Sequence, residues 1–341
     1  MAKIDIIMPL YNKAVTVKRA VDSIIAQTFS DWRLIVVDDG STDSSIDIVK
    51  EIGDERIEII SQKNAGPGAA RNTGIARATA EYVAFLDADD RWLEFYLENS
   101  LATIEQNDVS MVGAFSYELP GKISTKERYA KHAIFSGQYE LAGNENPEWA
   151  EMLMLFFHVD SCLVKRDVAG KYGGFYAENN CRFAEDTVFF MRIVLNEKVM
   201  ILDTPAVCRH KEDSDLANLA KDPLAPFYID PDVVLDYCPD SKRELMEAIL
   251  NHMAFRAVRK LARRGYKQDA IELLNKFPSI KTDQPGYWRC AFEIAASRWF
   301  KYWVAFKCLV GPRARLFMRT AARKIGMKPE IDNISNRGKD D

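Results

Sequence analysis

Glu81-Tyr82-Val83-Ala84-Phe85-Leu86-Asp87-Ala88-Asp89-Asp90 is an apolar run that ends in three carboxylates. Its first part reads as a buried β-strand. Like charges at the end of such a strand repel one another and are costly to desolvate. A bound cation resolves that conflict. The ligands are hard oxygens with no paired Cys or His nearby, so Mg²⁺ or Mn²⁺ fits. An acidic strand end that holds a divalent ion is suited to a diphosphate. A solvated turn capping a helix that starts near Trp92 accounts for the same ten residues, and this segment alone leaves both readings open.

The surrounding chain narrows the choice. Strand signals at residues 4–8, 34–37, 57–60 and 81–86 alternate with helical periodicity at 14–27, 41–51, 66–77 and 94–106, and a further strand is expected at 109–113. This is a βαβ array, predicting an α/β fold with a mostly parallel central sheet and flanking helices. Ligands of such sheets bind beyond the C-terminal strand ends. Pro9-Leu10-Tyr11-Asn12, Asp38-Asp39 and Asp87-Ala88-Asp89 all fall there and should converge. Residues 117–146 read as a polar, irregular excursion, 162–164 as a strand, and 199–202 and 206–209 as two short strands. From about Ser241 the pattern is helical, with a hairpin on either side of Gly265. The expected division is an α/β ligand-binding domain at 1–215 and a mainly helical region at 216–341.

Length, charge and cysteines bound the function. A chain of 341 residues buries a large core. A net charge of −4 gives no reason to expect nucleic acid as a partner. Six scattered cysteines form no C-x-x-C pair, so free thiols are expected rather than a zinc or redox site. The chain enters its first strand directly, without a signal-peptide pattern, and no stretch is long and apolar enough to span a membrane. A cytoplasmic protein is the expectation.

Individual residues then suggest chemistry. Asp39, fixed at a strand end, can accept the imide N–H of a uracil, or simply belong to a tight strand-to-helix turn with Gly40 and Ser41. Tyr11 offers an aromatic wall or ordinary packing. Asn64-Ala65-Gly66-Pro67-Gly68, followed by Arg71, is a glycine-containing entry to a helix whose N-terminus can face phosphates, although it is neither a Walker A loop nor G-x-G-x-x-G. Glu185-Asp186 opens an amphipathic helix, where acidic residues are favoured by the dipole; a carboxylate there can also act as a general base. His210 lies in the basic triplet Arg209-His210-Lys211, either structural or facing a metal or diphosphate.

Taken in order, Ile6-Ile7-Met8-Pro9-Leu10-Tyr11-Asn12, Val36-Val37-Asp38-Asp39-Gly40-Ser41, Asn64-Ala65-Gly66, Ala70-Arg71-Asn72 and Phe85-Leu86-Asp87-Ala88-Asp89-Asp90, with Gly173-Gly174-Phe175 and Glu185-Asp186 more loosely, resemble the family 2 glycosyltransferases, inverting enzymes of the GT-A fold. The resemblance covers roughly the first 210 residues. It implies that Asp39 binds the base, framed by Pro9, Tyr11 and Asn12. Asn64, Gly68, Arg71, Asp87 and Ala88 would line the nucleotide or donor-sugar side. Asp89, with Asp87 and His210, would hold Mn²⁺ or Mg²⁺, and Asp186, with Glu185 beside it, would be the base. The donor would be a nucleotide sugar, most readily a UDP-sugar, and the acceptor a glycan or lipid-linked oligosaccharide of the kind used in bacterial surface polysaccharide. The Q-x-x-R-W motif of processive synthases is missing.

Residues 294–329 contain no Asp or Glu but many Lys, Arg and aromatic residues. That mixture suits an anionic membrane surface at the inner face of the cell membrane, or packing on the main domain or a second copy of the chain. Two other functions compete. A sugar nucleotidyltransferase would normally carry a glycine-rich, basic signature near the N-terminus, which is missing. A non-catalytic scaffold on the same fold would not need both Asp89 and Asp186.

Overall fold

The computed structural model describes residues 2–213 and 224–280. In chain order the main elements are β1 (Ile4–Leu10), α1 (Val17–Ile25), β2 (Trp32–Asp38), α2 (Ser45–Ile52), β3 (Ile57–Ser61), α3 (Pro67–Arg77), β4 (Tyr82–Phe85), β5 (Arg91–Trp92), α4 (Tyr96–Gln106), β6 (Met111–Leu119), β7 (Ile123–Ser124), α5 (Thr125–Ala130), β8 (Gly137–Tyr139), α6 (Pro147–Met154), β9 (Cys162–Lys165), α7 (Arg166–Lys171), α8 (Glu185–Asn196) and β10 (Val199–His210). Then follow α9 (Pro226–Ile229), α10 (Asp232–Leu235), α11 (Arg243–Arg264) and α12 (Lys267–Lys276), the last two flanking Gly265 as the sequence suggests. The chain divides into two compact units, Met1–Met253 and Ala254–Asp341, and the sheet lies in the first.

The strands form one sheet in the order β3-β2-β1-β4-β9-β6-β10-β5, with β7 on β6 and β8 on β10. The half from β3 to β4 is parallel, as the βαβ pattern requires. Beyond β4 the sheet is mixed, not mostly parallel. β9 lies between β4 and β6 and runs antiparallel to both, while β10 runs parallel to β6. The alternation of apolar residues sets a strand's faces but carries no information about which distant strand will pair with it. Ile4, Ile6, Met8 and Leu10 on β1 pack with Val17, Ala20, Val21 and Ile24 of α1 in one core. On the other face α3 sits so close that a Cβ on Gly74 would come within 2.3 Å of Ile7.

Two sequence expectations change. The segment read as irregular holds β7, α5 and β8; α5 is capped by Ser124 Oγ, which accepts from the Lys126 N–H. These elements are too short and polar to show periodicity. The two short strands are one, β10, whose register shifts between Leu202 and Val207. Pro205 has no N–H to contribute to the ladder, and bulges accommodate that defect.

At the end of the sheet away from the acidic cluster, Asp5 is buried at 1% exposure. Its carboxylate takes Arg33 Nε and Nη2, each at 2.8 Å, and the N–H groups of Thr79 and Ala80 at 2.6 and 2.8 Å. Burial pushes its pKa up, but the Arg33 hydrogen bonds and the two N–H groups outweigh this and leave it lowered. A lowered folded pKa contributes stability above the ordinary carboxylate pKa of about 3.9, and that stability is lost as pH falls through the folded value. Asp5→Ala should therefore cost on the order of 3 kcal/mol at pH 7, because two buried N–H groups lose their acceptor. Urea melts should show this cost shrinking toward pH 3; a cost independent of pH contradicts the assignment.

Candidate active site

Parallel pairing fixes where the site forms. β1 pairs Leu10 with Asp38 of β2 and Ile7 with Phe85 of β4, so residues 9–13, 38–41 and 86–90 emerge at one edge. Asp38 Oδ1 accepts the Ser41 N–H at 2.9 Å and shapes the turn. Asp39 is buried and turns toward the loop before α3: Oδ1 accepts from Gln62 Nε2 (2.8 Å) and the Ala65 N–H (2.9 Å), Oδ2 from the Gly66 N–H (2.9 Å). A carboxylate has about four lone-pair positions, so about one stays open. Gly66 adopts φ +92°, and a Cβ there would come within 2.6 Å of Asn180 Oδ1. Only glycine meets both demands without strain.

Around this edge lies a cavity of about 290 Å³, lined by Pro9, Tyr11, Lys13, Asp39, Asn64, Gly66, Arg71, Asp87, Ala88, Asp89, Arg182 and Glu185, among others. Arg182 lies 5.7 Å from the centre of the Tyr11 ring and donates to Asn64 Oδ1 at 3.3 Å. Two sequence candidates sit elsewhere. Asn12 joins loops, accepting the Thr42 N–H at 2.8 Å and donating its own N–H to Ser41 Oγ at 3.1 Å. Gly68 is a packing residue, since a Cβ would fall 2.3 Å from the Tyr176 carbonyl oxygen.

A second cavity of about 430 Å³ shares Arg71, Asp87, Asp89, Arg182 and Glu185 with the first and adds Asp90, Leu155, Phe157, His158, Asp186 and His210. Arg71 links the two. Its side chain is 4% exposed and bridges Asp87 Oδ1 (2.6 Å) and Glu185 Oε1 (2.8 Å). Burial opposes its charge, but the two carboxylates prevail and lock it as a cation. Glu185 is raised by burial and by neighbouring Asp186, with Arg71 pulling the other way. Asp186 is the second residue of α8; its Oδ1 accepts the Thr187 N–H at 2.7 Å and its Oδ2 lies 3.8 Å from His158 Nε2. The residue before this pair, Ala184, adopts φ +59°, and Asn179 and Asn180 are also left-handed, so the approach to Glu185-Asp186 is strained.

The acidic cluster is larger than the sequence suggests. Asp160, wholly buried, accepts the Asp87 N–H at 2.9 Å. Burial pushes its pKa up, yet His158, Asp90 and the Asp87 N–H hold it well below the usual carboxylate range. Asp90 is driven far upward by burial and by Asp160, and its carboxylate accepts the His210 N–H. Asp87 is pushed up to about 7 by burial, with Arg71 opposing and Asp160 and Asp89 reinforcing. Asp89 is likewise raised by burial, although Lys13 Nζ approaches it at 2.9 Å.

Raised carboxylates indicate a site short of positive charge, and Arg71 and Lys13 supply only part of it. His210 Nε2 is buried without a hydrogen-bond partner, and its residue lines the same cavity as Asp87 and Asp89. Two carboxylates and an imidazole are a donor set that Mn²⁺ or Mg²⁺ accepts, so the residues present fit a divalent ion. Glu212 and Asp213 lie beside His210 on its Nδ1 side, but Glu212 engages that nitrogen at 2.9 Å and Asp213 is paired with Arg19 at 2.8 Å.

Sequence reasoning missed Lys13, His158, Asp160 and Arg182. Lys13 directly follows Asn12 and was within reach. His158 and Asp160 are single polar residues in the apolar run Leu155-Phe156-Phe157-His158-Val159-Asp160, a signal in itself because burying polar groups is costly. The basic aromatic stretch at 294–329 lies outside the described residues. Among the described residues no helix is long and apolar enough to cross a membrane, and Cys162, Cys181, Cys208 and Cys238 are free thiols.

Comparison with known proteins agrees with this arrangement. The family profile Glycosyl transferase family 2 matches residues 5–173. The succinoglycan biosynthesis protein ExoW of Rhizobium meliloti is 31% identical over 219 residues, covering 59% of this chain and 66% of that protein. WfgD of Escherichia coli, a UDP-Glc:alpha-D-GlcNAc-diphosphoundecaprenol beta-1,3-glucosyltransferase, is 36% identical over 110 residues, covering 32% of this chain and 44% of that protein. Matches of this kind span between 20% and 66% of the curated relatives' own length. Staphylococcus aureus TarS 1-349, solved in complex with UDP-GlcNAc, shares the fold with a TM-score of 0.68 at 19% identity, covering 82% of this chain and 81% of that one. Its GT-A architecture, the strand-end carboxylates and the profile match agree: through the domain at residues 5–173 the chain belongs to glycosyl transferase family 2.

Proposed function

We propose that the protein is an inverting glycosyltransferase that moves a sugar from a nucleotide-sugar donor to a hydroxyl of a glycan or lipid-linked acceptor. The observation that carries this reading is the pair of cavities: Asp39 and Tyr11 line one, Asp186 lines the other, and Arg71, Asp87 and Asp89 are common to both. A base and a diphosphate in the first cavity leave the anomeric carbon near the shared wall. An acceptor in the second presents its hydroxyl to Asp186, which takes the proton as the oxygen attacks. The nucleoside diphosphate leaves from the opposite face, so the anomeric centre inverts. Lys13 and Arg182 line the donor side and place positive charge where the diphosphate develops negative charge. A divalent ion held by Asp89, Asp87 and His210 would add Lewis-acid stabilisation there.

UDP is the favoured nucleotide. The open position on Asp39 suits an imide N–H, and both WfgD and TarS carry UDP-sugars in their names or complexes. WfgD's diphosphoundecaprenol-linked acceptor supports a lipid-linked acceptor here, reached with the help of residues 294–329 at an anionic membrane surface.

Calorimetry with UDP, dTDP and GDP, with and without Mn²⁺, tests the reading. Metal-dependent binding of UDP is expected. Asp89→Ala should weaken it at least about tenfold, a 1.4 kcal/mol step. Equal UDP affinity in wild type and Asp89→Ala, both with Mn²⁺, refutes the metal role of Asp89. Folded protein that binds no nucleotide under any condition refutes the transferase reading.

A further inference from the structure

His158 has no part in the reaction outlined above, yet the fold holds it firmly beside Asp186. Its carbonyl oxygen accepts the Ser161 N–H at 3.0 Å and Ser161 Oγ at 3.1 Å. Its Nδ1 is buried and lies 3.0 Å from Asp160 Oδ2, an electrostatic contact in which neither atom reaches good hydrogen-bond geometry. Asp160 is itself pinned by the Asp87 N–H on Oδ1 and by Trp92 Nε1, which donates to its carbonyl oxygen at 2.7 Å. A carboxylate 3.0 Å away favours the ring proton on Nδ1, because a bare nitrogen lone pair there would face its negative charge. Nε2 is then left with a lone pair. It lies in the acceptor-side cavity, 3.8 Å from Asp186 Oδ2, the carboxylate oxygen that the Thr187 N–H does not occupy.

Two hydrogen-bond acceptors at that separation are too far apart to bond to each other and both face the same space. We propose that Asp186 and His158 together recognise a vicinal diol of the acceptor sugar, with the attacking hydroxyl donating to Asp186 Oδ2 and its neighbour donating to His158 Nε2. His158 is then a specificity-determining residue. This rests on the glycosyltransferase reading with Asp186 as base. A site that accepts two hydroxyl protons discriminates against an acceptor lacking one of them, because that acceptor forfeits the hydrogen bond to Nε2.

The test begins with ¹⁵N spectra of histidine side chains in wild type and His158→Gln, which identifies the His158 signals. The Nδ1–H tautomer is expected; the Nε2–H tautomer overturns the proposal. UDP-sugars are then assayed against decyl glycosides of glucose, galactose and N-acetylglucosamine, and against deoxy analogues lacking one hydroxyl next to the glycosylated position. For wild type, removal of the recognised neighbour should raise the acceptor KM about tenfold. His158→Leu should raise the KM of the intact acceptor by a similar factor, leave UDP affinity unchanged, and lose the preference over the deoxy analogue. His158→Gln, which keeps an acceptor atom near the Nε2 position, should recover most of the preference. A preference that survives in His158→Leu while Asp186→Asn is inactive overturns the diol inference alone. Activity retained in Asp186→Asn overturns the assignment of Asp186 as the base and the inference with it, while no turnover by wild type with any pair overturns the proposed UDP-sugar donor and glycan acceptor and the inference with them.

Discussion

Asp186→Asn should lower kcat by about 10²–10⁴-fold, the range typical of a lost general base, with UDP affinity unchanged. The substitution is nearly isosteric, and an amide oxygen can still accept the Thr187 N–H that holds Oδ1 at 2.7 Å. The start of α8 should therefore keep its shape. Asp186 lines the acceptor-side cavity and is not among the residues lining the donor-side one, so nucleotide binding has no reason to change. Glu185 is a poor substitute base because Arg71 holds its carboxylate at 2.8 Å. Single-turnover rates beside calorimetric UDP affinities separate the two effects. Full activity in Asp186→Asn means that the proton goes elsewhere.

Arg71→Met should destabilise the fold by about 3–5 kcal/mol at pH 8, because it strands Asp87 and Glu185 without their cation. Methionine keeps an apolar stem near Phe175, whose ring centre lies 5.2 Å from the Arg71 guanidinium. The loss is thus mainly electrostatic. Its pH dependence follows from Asp87, already raised to about 7 mainly by burial. Without Arg71 both carboxylates rise further, so each binds a proton more readily in the folded state than in the unfolded chain. Raised carboxyl pKa values destabilise the fold above them and cease to do so once the groups are protonated. The penalty should therefore shrink as pH falls from 8 to 5. Chemical denaturation in the presence of a chelator measures it, and an equal penalty at both pH values assigns the effect to packing.

Much of this site could be read directly along the chain. Asp39, Asp87, Asp89 and Asp186 each stand at the end of a strand or the start of a helix, and local periodicity locates those ends. Parallel pairing of β1, β2 and β4 then brings the first three together with no further information. Arg71 was nameable from its motif, though not its role as the buried bridge between Asp87 and Glu185, which lie 98 residues apart (185 − 87) in the chain. Asn12 and Gly68 show the opposite case. Both belong to motif segments, yet one joins two loops and the other makes room for a backbone oxygen.

Local sequence carries the strand–helix alternation of the βαβ half, the strand-end carboxylates and the acidic start of α8, because each of these depends on interactions within a few residues. Tertiary structure decided that β9 enters antiparallel between β4 and β6. That insertion carries the His158–Asp160 segment under the Asp87 loop and against Asp186. Pairing across such distances depends on how the whole core closes, and no local pattern encodes it.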